Sequence, residues 1–130
     1  MDRTSARAAA MKLLYEWEMG GDGGEDTRAG MLEIRAGEKE SDYMEQLVDG
    51  VEKNVSAIDE AISKFAVGWK MARIMRVDLS ILRLAVYEIN YTELSNAVAV
   101  NEALELARTY STPEAVRFIN GVLGSMIRSK

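Results

Sequence analysis

The sequence predicts an all-α fold, a compact single-domain bundle of six to seven helices spanning residues 1–130. Three observations predict it. Apolar residues recur at i, i+3, i+4 and i+7, the period of a helix face that packs on a core. Runs of alternating polarity rich in β-branched residues, the mark of a half-buried strand, are missing. Proline occurs once, at Pro113, where a helix can begin.

In chain order, Ala6, Ala10, Leu13, Leu14 and Trp17 line one face of a helix from Ser5 to Met19. Gly20-Gly21 ends it and Gly20–Gly24 forms a loop. A weaker helix is expected over 25–37, with Met31, Leu32 and Ile34 as its apolar part. Asp42-x-x-Glu45 has the spacing of a capping box and predicts a helix start at Asp42, followed by Leu47, Val48, Val51 and Val55. Ser56-x-x-Asp59 is a second cap signal, ahead of Ile58, Ile62 and Phe65. The pattern breaks around Gly68, where Trp69 is expected as an interior anchor. A broad apolar face over Val77–Tyr91, with Ile81, Leu82, Ala85, Val86 and Ile89, marks the central helix. The next begins near Ser95 or Asn96 and carries Val98, Val100, Ala103, Leu104 and Ala107. The last has Thr112 as N-cap, Pro113 in first position and Glu114 in the positive first turn, and runs to about Ile127.

Composition narrows the chemistry. The chain is 48% hydrophobic and 28% charged, an ordinary globular balance. It holds no cysteine and no histidine, which removes disulfides, thiol chemistry, zinc sites of those ligands and the commonest general base at neutral pH. Nothing resembles a nucleophile elbow, a P-loop or a dinucleotide glycine motif. No catalytic residue, metal or cofactor is expected, and the protein is read as a non-enzyme. No apolar run approaches the roughly 18 residues of a membrane span, and the polar N-terminus does not read as a signal peptide, so a cytoplasmic location is expected.

The net charge of −5 weighs against a general nucleic-acid binder. The charge is uneven, however. Residues 25–63 hold eleven acids and four bases, whereas residues 64–83 hold five bases and one acid and residues 115–130 three bases and no acid. Local basic surface is compatible with that balance.

Candidate functional residues are those a core does not explain. On the first helix Arg7, Met11, Tyr15 and Glu18 form a stripe away from the main apolar face, with Lys12 nearby and Arg3 just ahead. A tyrosine between cations offers a base a stacking surface and a phosphate a charge. The alternative is that Tyr15 packs on a neighbouring helix and Arg7 is merely solvated. On the last helix Phe118 points away from the stripe of Val116, Ile119, Leu123, Met126 and Ile127, near Glu114 and Arg117. With no polar handle, it meets either another helix or a ligand. If the two helices are adjacent, they compose one surface.

Arg7-x-x-Ala10-x-x-x-Leu14-Tyr15, Asp78-x-x-Ile81-Leu82-Arg83-x-Ala85-x-Tyr87-Glu88, Val100-Asn101-Glu102-Ala103-x-Glu105-Leu106-Ala107 and Phe118-Ile119-Asn120-Gly121-Val122-Leu123 resemble the NusB family, in order, over nearly the whole chain. The resemblance implies two packed helical sub-bundles. It also implies a transcription antitermination factor that binds single-stranded boxA RNA together with a small ribosomal-subunit protein, NusE. The pair would then support ribosomal RNA synthesis through the RNA polymerase antitermination complex. Carried over residue by residue, the RNA surface comprises Arg3, Arg7, Tyr15, Glu114, Arg117 and Phe118, and Asp78 is the partner contact. Lys12 stands where the family often has glutamine, and the arginine cluster before the first helix is thinner than is common. The implied RNA affinity of the chain alone is therefore weak.

Asn101 and Asn120 are expected in buried helix-to-helix hydrogen bonds, and Gly121 at a close helix contact. Arg83 is either structural, paired with Glu88 or Glu102, or part of the partner surface. Two other functions compete. One is the RNA-binding domain of a ribosomal RNA cytosine methyltransferase, which the chain's end at Lys130 makes the weaker expectation. The other is a self-associating bundle, a homodimer hiding the RNA face.

Overall fold

The computed structural model describes residues 2–19 and 39–130. The expected loop at 20–24 and the weak helix over 25–37, with Met31, Leu32 and Ile34, lie outside the described residues. Among those described there are six α-helices: α1 Arg3–Glu18, α2 Lys39–Lys53, α3 Val55–Phe65, α4 Arg76–Tyr91, α5 Asn96–Tyr110 and α6 Pro113–Arg128. A single 3-10 turn, Met71–Arg73, precedes α4.

Local chemistry sets most of these ends. The Asp2 carboxylate accepts from the Ser5 N–H at 2.7 Å and caps α1. Ser95 caps α5 through the Val98 N–H, and Thr112 caps α6 through the Ala115 N–H, with Pro113 next. Asn54 separates α2 from α3, its side chain donating back to the Gly50 carbonyl at 2.8 Å. Gly68, at φ +83°, turns the chain out of α3 in a conformation that L side chains rarely adopt. The Arg76 guanidinium then holds the 3-10 turn by donating to the carbonyls of Met71 and Ile74 at 2.7 and 2.5 Å.

The central helix is α4. Every residue from Asp78 to Ile89 is buried, and the helix touches all five other α-helices. It is common to two groups, α1 with α2 on one side and α3, α5 and α6 on the other. Leu79, Ile81, Leu82, Leu84 and Val86 are almost wholly enclosed. Burial of each such side chain contributes about 1.5–3 kcal/mol, so α4 anchors the core.

In helix ends, interior anchors and close helix contacts, the structure differs from the sequence reading at four places. Helix α2 begins at Lys39, ahead of Asp42, because capping-box spacing is also the ordinary i, i+3 spacing of acids on a helix surface. Trp69 is 52% exposed rather than interior, since it follows the chain's exit from α3. Asn101 and Asn120 are exposed, on the outer faces of α5 and α6. Gly121 is open, with nothing within 4 Å of a modest added methyl group; the close approach is made by Gly50, where such a group would overlap the Tyr87 ring.

This exchange of roles is testable by urea denaturation. Gly50→Ala is expected to cost about 1–3 kcal/mol through overpacking. Gly121→Ala is expected to be neutral or to gain up to about 1 kcal/mol from helix propensity.

Candidate nucleic-acid interface

Helix α1 is buried on two sides because it packs against both α2 and α4. Ala6, Ala10, Leu13 and Leu14 are enclosed, and so are Arg7 and Met11 from the stripe expected to face solvent. Arg7 is 3% exposed. Its Nε donates to Glu88 at 2.9 Å and its Nη2 to the same carboxylate at 3.0 Å. The fork also reaches Glu102 at 3.3 Å and the Tyr43 hydroxyl at 3.1 Å, while that hydroxyl donates to Glu88. Arg7 therefore ties α1 to α2, α4 and α5. It is corrected from a surface cation awaiting phosphate to a buried structural one.

The electrostatics follow from the enclosure. Burial opposes the charge on Arg7, but the hydrogen bond and charge of Glu88, with help from Tyr43 and Glu102, outweigh it and raise the guanidinium's pKa. Burial, followed by the hydrogen bond to Glu88 and its charge, pushes the Tyr43 phenol up to about 12. The phenol thus stays protonated, as its donor role requires.

Arg83 is structural too, but with other partners. Its Nε and Nη2 donate to Asp59 at 2.9 and 2.8 Å, its Nη1 lies 3.3 Å from Glu18, and Trp17 covers it at 5.6 Å. Glu88 and Glu102, its expected partners, belong to Arg7.

The remaining candidates are at the surface. Arg3 is exposed and lies over the Tyr43 ring, 4.5 Å from its centre. Lys12 is exposed and lies 5.0 Å from the centre of the Tyr110 ring. Tyr15 is half-buried. At the start of α6, Glu114 and Arg117 are exposed and 3.9 Å apart. Phe118 is half-buried against Trp69, with ring centres 5.2 Å apart and planes inclined by 54°.

Phe118, Glu114 and Asp78 line one hollow of about 130 Å³, with Trp69, Arg73 and Met75 on its other walls. Asp78 is only 5% exposed and accepts from the Ser111 hydroxyl at 2.6 Å. Burial raises its pKa, opposed by that hydrogen bond. Two of the residues expected to meet RNA, Glu114 and Phe118, thus converge with the residue expected to meet a protein. By contrast, α1 and α6 are not a principal helix pair. Helix α5 adjoins both, through Thr4 and Arg7 to Glu102 on one side and through its packing on α6 on the other.

The chain matches the profile of a known family, the NusB family, over residues 4–128. The chain belongs to the NusB family. The transcription antitermination protein NusB of Acetivibrio thermocellus is 44% identical, over all of this chain and 91% of that protein. That of Clostridium botulinum strain Hall is 38% identical, over 98% of this chain and all of its own length. Among solved structures, NusB from T. maritima superposes with a TM-score of 0.87 at 28% identity, covering 98% of this chain and 92% of that one. A crystal structure of the antitermination factors NusB and NusE with double-stranded RNA gives a TM-score of 0.86 at 27% identity, covering 98% of this chain and 97% of that one. The family role is transcription antitermination, which is not an enzymatic one, and these relatives favour it over a methyltransferase domain. Among the described residues no helix is long and apolar enough to cross a membrane.

Sequence reasoning missed Tyr43 and the pairing of Arg7 with Glu88. A signal existed for the ion pair: Arg7 and Glu88 are charges on otherwise buried helix rows, and a buried charge demands a partner. Arg7→Ala is expected to destabilise the NusB fold by roughly 3–5 kcal/mol in urea denaturation, because it strands the Glu88 carboxylate. The alkaline limb tests Tyr43. A free phenol ionises near pH 10, whereas Tyr43 holds its proton to about 12. Between those values the unfolded chain binds fewer protons, so this group's contribution, full below pH 10, is lost as pH rises through about 12. Tyr43→Phe should remove that part of the decline.

Proposed function

We propose that this chain is an antitermination adaptor that takes boxA RNA as a single strand, jointly with NusE. Acting in the cytoplasm, the pair would help RNA polymerase read through terminators and complete ribosomal RNA. The observation that carries this reading is the hollow shared by Asp78, Glu114 and Phe118.

Each wall of that end has its own chemistry. Phe118, half-buried yet lining an open hollow, presents an aromatic surface to a base. Of the expected cations, Arg117, Lys12 and Arg3 are exposed and available to phosphate. Asp78 is proposed as the partner contact, flanked by the exposed apolar side chains of Trp69 and Met75. With so few cations, phosphate attraction alone gives modest affinity, and NusE supplies the rest. Arg7 acts only by holding α1 in place. The exposed Val67, Trp69 and Met75 also favour a second reading, a homodimer through this end.

The complex with NusE is expected to retard a boxA strand more than either protein alone, and more than the matching duplex. Phe118→Ala should weaken retention roughly tenfold, the value of one base stack, while its lost packing on Trp69 lowers the melting temperature without unfolding the chain. Unchanged retention would remove Phe118 from the RNA face. Asp78→Asn should leave stability equal or higher near neutral pH, because it relieves a buried charge, while it weakens capture of NusE. Light scattering separates the homodimer: a dimer that persists in saturating NusE and RNA does not use this end.

A further inference from the structure

We propose that Tyr110, at the C-terminal end of α5, is a nucleotide-stacking position that carries the RNA strand from α1 across α5 to the start of α6. This rests on the RNA-binding reading above and adds a residue that neither the motifs nor the helix faces singled out. Its premise is geometric. The exposed candidates lie on α1 and α6, which are not a principal pair, whereas α5 packs on α6 and meets α1 through side chains, Thr4 and Arg7 with Glu102 and Lys12 with Tyr110. A strand that touches both sets has to cross α5.

Two hollows border the C-terminal end of α5. A groove of about 600 Å³ runs between α1 and α5, with Thr4, Ser5 and Ala8 on one wall and Asn101, Thr109 and Tyr110 on the other. A second hollow of about 320 Å³ lies at the junction of α5 and α6, between Arg108, Ser111, Thr112 and Arg117. Tyr110 borders the first and its neighbour Ser111 the second. The Tyr110 ring is 40% exposed at the surface, with the Lys12 ammonium 5.0 Å from its centre. Every base has a face to stack on such a ring, so the position is sequence-tolerant.

The charges say how the strand lies. Glu102 and Glu105 line the groove and repel phosphate, so the bases turn inward and the backbone runs outside. Glu102 is already held by Arg7 and Thr4. Arg108 pairs with Glu105 at 2.6 Å, but both are well exposed, and a surface pair of that kind is worth little. Arg108 can exchange it for a phosphate. Lys12, Arg108 and Arg117 then mark the outer track.

The test uses the full chain with NusE and a labelled boxA strand. Tyr110→Ala and Tyr110→Leu are each expected to lose roughly tenfold in affinity, with an unchanged salt slope, because a stack and not a charge is removed. Tyr110→Phe, which keeps the ring, should stay within about twofold of the parent. Arg108→Gln should instead lower the slope of affinity against salt by about one. Melting temperatures of all four variants separate folding losses from binding losses. Equal affinity of the Ala and Phe variants, both retained or both reduced, overturns the proposal. Loss in Phe118→Ala with none in Tyr110→Ala overturns it while the RNA-binding reading stands. No loss in Phe118→Ala, Arg117→Gln and Lys12→Gln overturns that reading instead.

Discussion

A guanidinium and a carboxylate shut away from water, Arg7 and Glu88, set the terms for the rest of this molecule. Either charge alone at that depth would cost several kcal/mol, and together they are tolerable only when the fork geometry is met and the spare donors are used. The Tyr43 hydroxyl and Glu102 complete it. Those four side chains come from α1, α2, α4 and α5, so four helices must arrive in one register before the set is satisfied. Apolar burial supplies most of the stability, and any register that broke the ionic set would leave a buried charge without its partner.

Around that lock, α4 gives each helix a common wall and leaves the ends of α5 and α6 to present chemistry. Thr112 and Pro113 fix where α6 starts, which places Glu114, Arg117 and Phe118 within its first two turns. The turn held by Arg76 brings Trp69 back over Phe118. A cluster that reads as function thus depends on a cap, a proline and an arginine whose first task is to set the backbone.

The elements that sequence gave away are those governed by short-range chemistry. The boundaries of α4, α5 and α6 fall within a residue or so of expectation because caps and apolar period are local. Arg7 and Met11 were misplaced because a single wheel assumes one buried face, and α1 has two. Gly50 and Gly121 were exchanged for a similar reason: whether a glycine sits at a close approach depends on the helix opposite, here on Tyr87. Trp69 was misread because periodicity says nothing once the chain leaves a helix. In the candidate site, Phe118, Glu114 and Asp78 were legible as residues, but their meeting around one hollow was not, since it joins positions forty apart in sequence.

That hollow ties two ligands together. A protein side chain against Asp78 and a base against Phe118 would lie on walls of the same small space, which Trp69 also lines. Any rearrangement one of them imposes there is felt by the other as altered affinity. Equilibrium then demands reciprocity: the factor by which protein tightens the hold on nucleic acid equals the factor by which nucleic acid tightens the hold on protein. A chain with so little positive charge of its own would in that way act as a coincidence detector, assembling only where both ligands are present.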